Sequence, residues 1–266
     1  MSESKKAAAP KGSLSVKENE NESGRFLSRD IIKLIAMVTM LLNHSCHLLR
    51  MEGTWLGETM VEIGYFTAIT MCYFMVEGYQ YTRNKGQYAL RLFGFGLLAQ
   101  LPYNAVLSDD GSVWSYTQLN MMFSLFLCFL VLLVKDKIKN IFLKSILIFL
   151  IIAFSIFTDW ALFAPVFTLM FAIAKDSKKG KVIAYAIAIV LFTIINVMLT
   201  FSSVPFLTAI YSVLLGILTM ALSGVCVLRL YNGKRMQAGR TFFKWFFYLF
   251  YPGHLFILML IRWFVL

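Results

Sequence analysis

Charge is scarce in this chain. Asp, Glu, Lys and Arg make up 15% of its 266 residues against 59% apolar types, and the mean hydropathy is +0.72. A soluble domain of this size has too little interior to hide that much apolar surface, which excludes an ordinary water-soluble enzyme and leaves an integral membrane protein. The four cysteines, Cys46, Cys72, Cys128 and Cys226, lie in apolar stretches without CxxC spacing. They read as small packing residues and give neither a disulfide framework nor a thiolate metal site. Histidine is rarer still, with His44, His47 and His254 the only three, all within apolar segments. Ahead of the first such segment there is no apolar core of a cleavable signal peptide, so that segment is expected to act as an uncleaved signal.

Long hydrophobic runs fill most of what remains. At about 20 residues per crossing, they predict an all-α, polytopic bundle of about nine transmembrane helices. Spans are expected near 31–50, 58–81, 88–107, 117–134, 141–157, 160–174, 182–200, 206–229 and 241–265. Residues 1–28, polar and mixed in charge, read as a disordered cytoplasmic tail, and 29–266 as one transmembrane domain.

Orientation follows from where the cations fall. With the N-terminus in the cytoplasm, 23 of the 25 Lys and Arg residues lie on the inner side, leaving only Arg50 and Arg262 outside. The positive-inside rule therefore predicts N-terminus in and C-terminus out. It also accounts for the net charge of +11 without nucleic acid, although such loops suit anionic lipid or a phosphorylated cosubstrate as well.

A few polar residues inside the spans carry the chemical interest, because histidine and carboxylates are costly in hydrocarbon. His44 and His47 share a helical face, with His44 roughly 20 Å from the cytoplasmic start of its span. A neutral imidazole there suits a general base; it also suits a hydrogen bond to a neighbouring helix, or a metal, for which no third ligand stands at the required spacing. His254 follows Pro252 and Gly253, which are expected to interrupt the last span, and lies roughly 18 to 21 Å in, so the two imidazoles can share a layer. Asp159 sits in a turn between two runs allowing only about 17 residues each, the lower bound for a crossing, so the turn is expected to dip below the headgroups. Glu62 lies near the depth of His47. Glu77 reads as a helix-end acid paired with Lys33 or Arg91, or as part of a cosubstrate mouth.

The run Ile32-Lys33-Leu34-Ile35-Ala36-Met37, followed by Met40-Leu41-Leu42-Asn43-His44, resembles the opening of the TraX family of bacterial membrane proteins. The likeness continues in order through Glu77-Gly78-Tyr79, Leu101-Pro102-Tyr103, Leu119-Asn120, Thr158-Asp159-Trp160, Tyr231-Asn232-Gly233-Lys234-Arg235 and Tyr251-Pro252-Gly253-His254. The resemblance implies an acyltransferase of the pilin-acetylation type, similar to the wider group of multispan acyltransferases that includes the heparan acetyltransferases. By it, His44 would be the catalytic histidine, acetyl-CoA the cytoplasmic donor, and the acceptor extracytoplasmic. The family pattern carries acids at positions that are Asn43, Gln100 and Asn104 here. An amide can orient a group but cannot accept a proton, so either the acid role has moved, with Asp159 the best candidate, or this member has altered or lost the chemistry.

The resulting expectation is an enzyme of the bacterial cytoplasmic membrane that passes an acetyl or short acyl group from acyl-CoA to a hydroxyl or amine of a pilin, glycan or lipid. His44, Asp159, His254 and Asn43 are the catalytic candidates. Arg91, Lys234, Arg235, Arg83 and Asn232 are expected to hold the CoA phosphates, and Glu62, His47, Asn120 and Glu77 to face substrate, with no metal. Two readings from other classes are a small transporter or flippase using the same polar layer, and a non-catalytic partner of a pilus or secretion system.

Overall fold

The structure, a computed structural model, describes residues 24–237 and 239–266, with the side chain of Arg240 set aside. The tail expected at 1–28 lies outside the described residues as far as residue 23. Leu27 and Ser28, at its end, make defined contacts. Leu27 exchanges backbone hydrogen bonds with Leu230 and Asn232, each 3.0 Å, and Ser28 caps the first helix by accepting from the Ile31 amide.

Nine α-helices follow among the described residues. They are α1 (Arg29–Leu49), α2 (Trp55–Tyr81), α3 (Lys85–Leu107), α4 (Met121–Lys137), α5 (Ile141–Phe154), α6 (Phe163–Ala174), α7 (Lys178–Ser203), α8 (Phe206–Val225) and α9 (Arg240–Phe264). Side-chain caps from Thr54, Asn84, Asn120, Asn140 and Ser177 satisfy first-turn amides of five of them, which is why the breaks fall there. Five helices, α1, α2, α7, α8 with its π-helical extension, and α9, are long and apolar enough to cross a membrane. The chain is thus a helical membrane protein.

Two of the expected spans, 141–157 and 160–174, are short. Helix α5 continues through a 3-10 turn, Ser155–Phe157, to cover Ile141–Phe157, and α6 has 12 residues. At 1.5 Å per residue α6 reaches only roughly 18 Å against a hydrocarbon core of about 30 Å. Together they form a recessed hairpin. Its turn is pinned where Leu119 donates to Phe157 O (2.8 Å) and accepts from Asp159 N (2.6 Å). The interruption expected at Pro252-Gly253 is also absent, since α9 runs through both residues as one helix.

Helix α2 is the hub. Its largest interfaces are with α1 and α8, while α9 packs along α3. Close approach is set by glycine. A Cβ on Gly64 would lie 2.7 Å from Asn43, and one on Gly216 would collide with the Glu62 carboxylate, so α1 and α8 sit nearly against the α2 backbone. The basic ends of α1, α3 and α9 converge on one face, which we call the basic end. At the opposite end stand the two cations that departed from the charge pattern. Arg262 Nη1 donates to the carbonyls of Ala105, Val106 and Ser108, and Arg50 donates to Asp109 Oδ1 (2.7 Å) and to Ser108 O (2.6 Å). Both neutralise the carbonyl end of α3, the electrostatic role that suits arginine at a helix C-terminus.

The segment after α3 turns back along that helix rather than leaving it. Gln100 Nε2 donates to Gln118 O and Asn104 Oδ1, both at 2.8 Å, and Asn104 Nδ2 donates to Val113 O at 3.0 Å. Asn120 Nδ2 donates to Gly96 O and Gln100 Oε1 while its own oxygen caps α4 at Met122 N. Asn120 was a substrate candidate; its polar atoms are all committed to this scaffold and it is fully buried. The start of α4 therefore lies level with Gly96, eleven residues inside α3. The amides at 100 and 104 act here as donors to oxygen atoms, which a carboxylate cannot do. Gln100→Glu is accordingly expected to lower stability by about 1–3 kcal/mol, the cost of leaving buried acceptors without donors. Thermal unfolding of the purified protein checks this, and an unchanged transition would contradict it.

Candidate functional site

His44 stands fifteen residues into α1 and His254 fourteen into α9. At 1.5 Å per residue that is roughly 22 and 21 Å from the basic end. The equal depth brings the rings together: their planes are within 6°, and His44 Nδ1 lies 2.8 Å from His254 Nε2. Both are buried.

The network assigns the protons. His254 Nδ1 lies 2.8 Å from Phe250 O, which only accepts, so this nitrogen carries the hydrogen. His254 Nε2 is then the acceptor and His44 Nδ1 the donor. By elimination His44 Nε2 holds a bare lone pair. No residue bonds it among those described, and His44 lines a cavity of about 220 Å³ on the side away from the basic end. The tyrosines 103 and 251 pack edge-on against His44, each at 6.2 Å between centroids.

Asn43, His47, Tyr65, Asp159 and Trp160 line the same cavity. Asp159 arrives there through the recessed hairpin, whose turn is also gripped by the Ser124 hydroxyl donating to the Asp159 carbonyl. Trp160 and Leu162 just beyond it hold φ of 60° and 62°. Such angles are uncommon for bulky side chains and persist only where the surroundings impose them, here the stack of Trp160 on Phe192 with planes 4° apart. His47 faces Glu52 at 2.7 Å at the cavity margin. Asn43 lines the cavity while its amide donates to Val61 O at 3.1 Å, so it fixes α1 to α2.

A second cavity, about 190 Å³, opens at the basic end. Its wall carries Arg29, Lys33, Arg91, Arg235 and Lys244 against one acid, Asp30, and the Asp30 carboxylate is already bonded to Met236 N at 2.8 Å. Arg91 rests over the rings of Tyr88 and Tyr248, and its buried Nε has no hydrogen-bond partner. Lys33 Nζ is 5.2 Å from the Phe247 ring centroid. The inner wall is apolar, with Met71, Phe74, Met122 and Leu125. Five cations around so little acid, with the buried Nε of Arg29 as well as that of Arg91 lacking a partner, suit an anion with several phosphates and an apolar extension.

Other candidates from the sequence are placed elsewhere. Glu77 pairs with Arg29 (3.3 Å) and accepts from Tyr231 (2.8 Å), not with Lys33 or Arg91. Arg83 and Lys234 are exposed and line neither cavity. Asn232 uses its side chain to accept from the Lys234 amide, closing a local turn. Glu62 points from α2 toward Gly216 of α8, away from His44, and its buried Oε2 makes no hydrogen bond. Sequence reasoning missed Arg29, Lys33 and Lys244. Their spacing signalled them: Arg29 and Lys33 are four apart, one helical face, at the inner end of the span that carries His44.

Comparison with known proteins agrees with the motifs. The family model described as TraX protein matches residues 28–262. A probable fimbrial assembly protein FimC, serogroup H1, of Dichelobacter nodosus is 31% identical over 232 residues, covering 85% of this chain and 92% of that protein. No solved structure matches. On a match over nearly all of the described chain, the protein belongs to the TraX family.

Proposed function

We propose that this protein is an acyltransferase of the bacterial cytoplasmic membrane, with its basic end and N-terminus in the cytoplasm and its C-terminus outside. It takes an acetyl or short acyl group from acyl-CoA at the basic cavity and passes it to a hydroxyl or amine held in the opposite cavity. The observation that carries the reading is the bare Nε2 of His44, a residue that lines one cavity while a basic cavity opens at the cytoplasmic end of the same helix.

In this reading the acceptor's O–H or N–H meets His44 Nε2, which takes its proton as the acceptor attacks the thioester carbon. The imidazolium so formed keeps its bond to His254, and Asp159 across the cavity balances the charge. Arg91, Arg235, Lys33, Arg29 and Lys244 hold the phosphates of the donor, with the apolar wall beneath them along its thioester arm. The named relative is a probable fimbrial assembly protein, which supports a pilus subunit as the acceptor. The same name, with amides at positions 43, 100 and 104, favours a second reading, a non-catalytic assembly partner. The purified protein in liposomes separates the two, since only an enzyme releases CoA from acetyl-CoA when pilin is present.

His44→Ala is expected to cut transfer by about 10²- to 10⁴-fold, the share of a general base. His254→Ala is expected to cost nearly as much, and the double variant little more than either, because the two rings act as one unit. Additive losses measured in the same assay would contradict the shared role. Arg91→Glu is expected to raise the donor KM by about tenfold or more with the maximal rate nearly kept, since phosphate contacts hold ground and transition states alike. A lost maximal rate at unchanged KM would move Arg91 to the reacting centre.

A further inference from the structure

We infer that Tyr251 is a catalytic residue whose hydroxyl, primed by the first amide of α4, donates to the thioester oxygen as negative charge develops there. The inference rests on the acyl-transfer reading and adds a residue to it. A buried hydroxyl in a low-dielectric layer should have its donor and acceptor capacity used. Tyr251 is buried, and its oxygen accepts from Met121 N at 3.1 Å, yet its proton has no acceptor among the described residues.

Position gives that proton a use. Tyr251 lies one helical turn before His254 on α9, and its ring meets those of His44 and His254 edge-on, with centroids 6.2 and 5.6 Å away. Its partner Met121 opens the 17-residue helix α4. Met121 lines the cavity beside His44 while Met122 lines the basic cavity, so the N-terminus of α4 is the partition between them. A thioester reaching from one cavity toward an acceptor in the other must bring its carbonyl to this partition. The helix end contributes positive potential there, and the Met121 N–H polarises the phenol into a better donor. The other tyrosine against His44, Tyr103, has its oxygen turned to Gln118 of the segment before α4.

The step balances without a further reagent. The acceptor's oxygen or nitrogen bonds to the thioester carbon, its proton passes to His44 Nε2, and the carbonyl π electrons move to oxygen, where the Tyr251 O–H donates. Collapse returns those electrons, breaks the C–S bond, and sends the proton from His44 to the departing sulfur. The products are the acylated acceptor and CoA. A donor aimed at the developing oxyanion is worth about 10²- to 10³-fold in turnover in hydrolytic enzymes.

The test compares full-length wild type, His44→Ala and Tyr251→Phe in liposomes with acetyl-CoA and pilin, reading turnover, donor KM and melting temperature. Tyr251→Phe is expected to lose about 100-fold or more in turnover, with donor KM within about twofold and a melting temperature lowered only modestly, because the Met121 amide loses its acceptor. Wild-type turnover that falls in His44→Ala but is kept in Tyr251→Phe overturns the role of Tyr251 alone. A Tyr251→Phe loss that appears as weaker donor binding at unchanged maximal turnover also overturns it, assigning the hydroxyl to donor binding and packing. No CoA release by wild type overturns the acyl-transfer reading, and this inference with it.

Discussion

The hydrogen bond between His44 and His254 is the constraint on which the arrangement depends. Two imidazoles at the middle of a membrane bundle are costly unless each polar atom is engaged, and lipid offers no partner. The Phe250 carbonyl engages one nitrogen and the ring-to-ring bond engages two more, which leaves a single nitrogen for a ligand. That pairing requires α1 and α9 to run side by side with their histidines at equal depth, and the packing of α9 along α3 and of α1 on α2 provides this. The glycines 64 and 216 are part of the same constraint, because they let α1 and α8 approach α2 closely.

Around this layer the fold is asymmetric in charge. The basic end gathers cations with two buried guanidinium nitrogens unpaired, while the arginines at the other end are spent on helix-terminal carbonyls. The basic end therefore keeps unused donor capacity on Arg29 and Arg91, while the arginines at the other end are structural. The recessed segments, the return along α3 and the α5–α6 turn, bring backbone below the end of the bundle and satisfy it there with Gln100, Asn104, Asn120 and Ser124. Non-helical backbone at such depth is tolerated where protein buries it or it lines a cavity, and this chain does both.

Much of this was legible in the sequence through helix rise and length. The rise of an α-helix put His44 and His254 in one layer, and the shortage of residues around Asp159 foretold a turn below the surface. The helix count followed from charge clusters and turn residues. What periodicity hid was rotation and partner choice. Glu62 and His47 share a helix depth, yet Glu62 turns to α8, because Gly216 offers it room. Glu77 met Arg29 rather than Lys33, and Asn120 was absorbed by a fold-back that no local pattern marks. Lys33 and Arg29 read as membrane-end cations until the convergence of α1, α3 and α9 gave them a cavity to line.

The most direct measurement of the central claim is the protonation pattern of the histidines, and with only three in the chain each resonance can be assigned. Nitrogen-15 spectra of histidine-labelled protein in lipid, with His44→Ala and His254→Ala for assignment, report which ring nitrogen carries each proton. The account predicts that His44 and His254 are both protonated on Nδ1 and that Nε2 of His44 is bare. A proton on His44 Nε2 with Nδ1 bare would reverse the relay and leave no base facing the acceptor cavity.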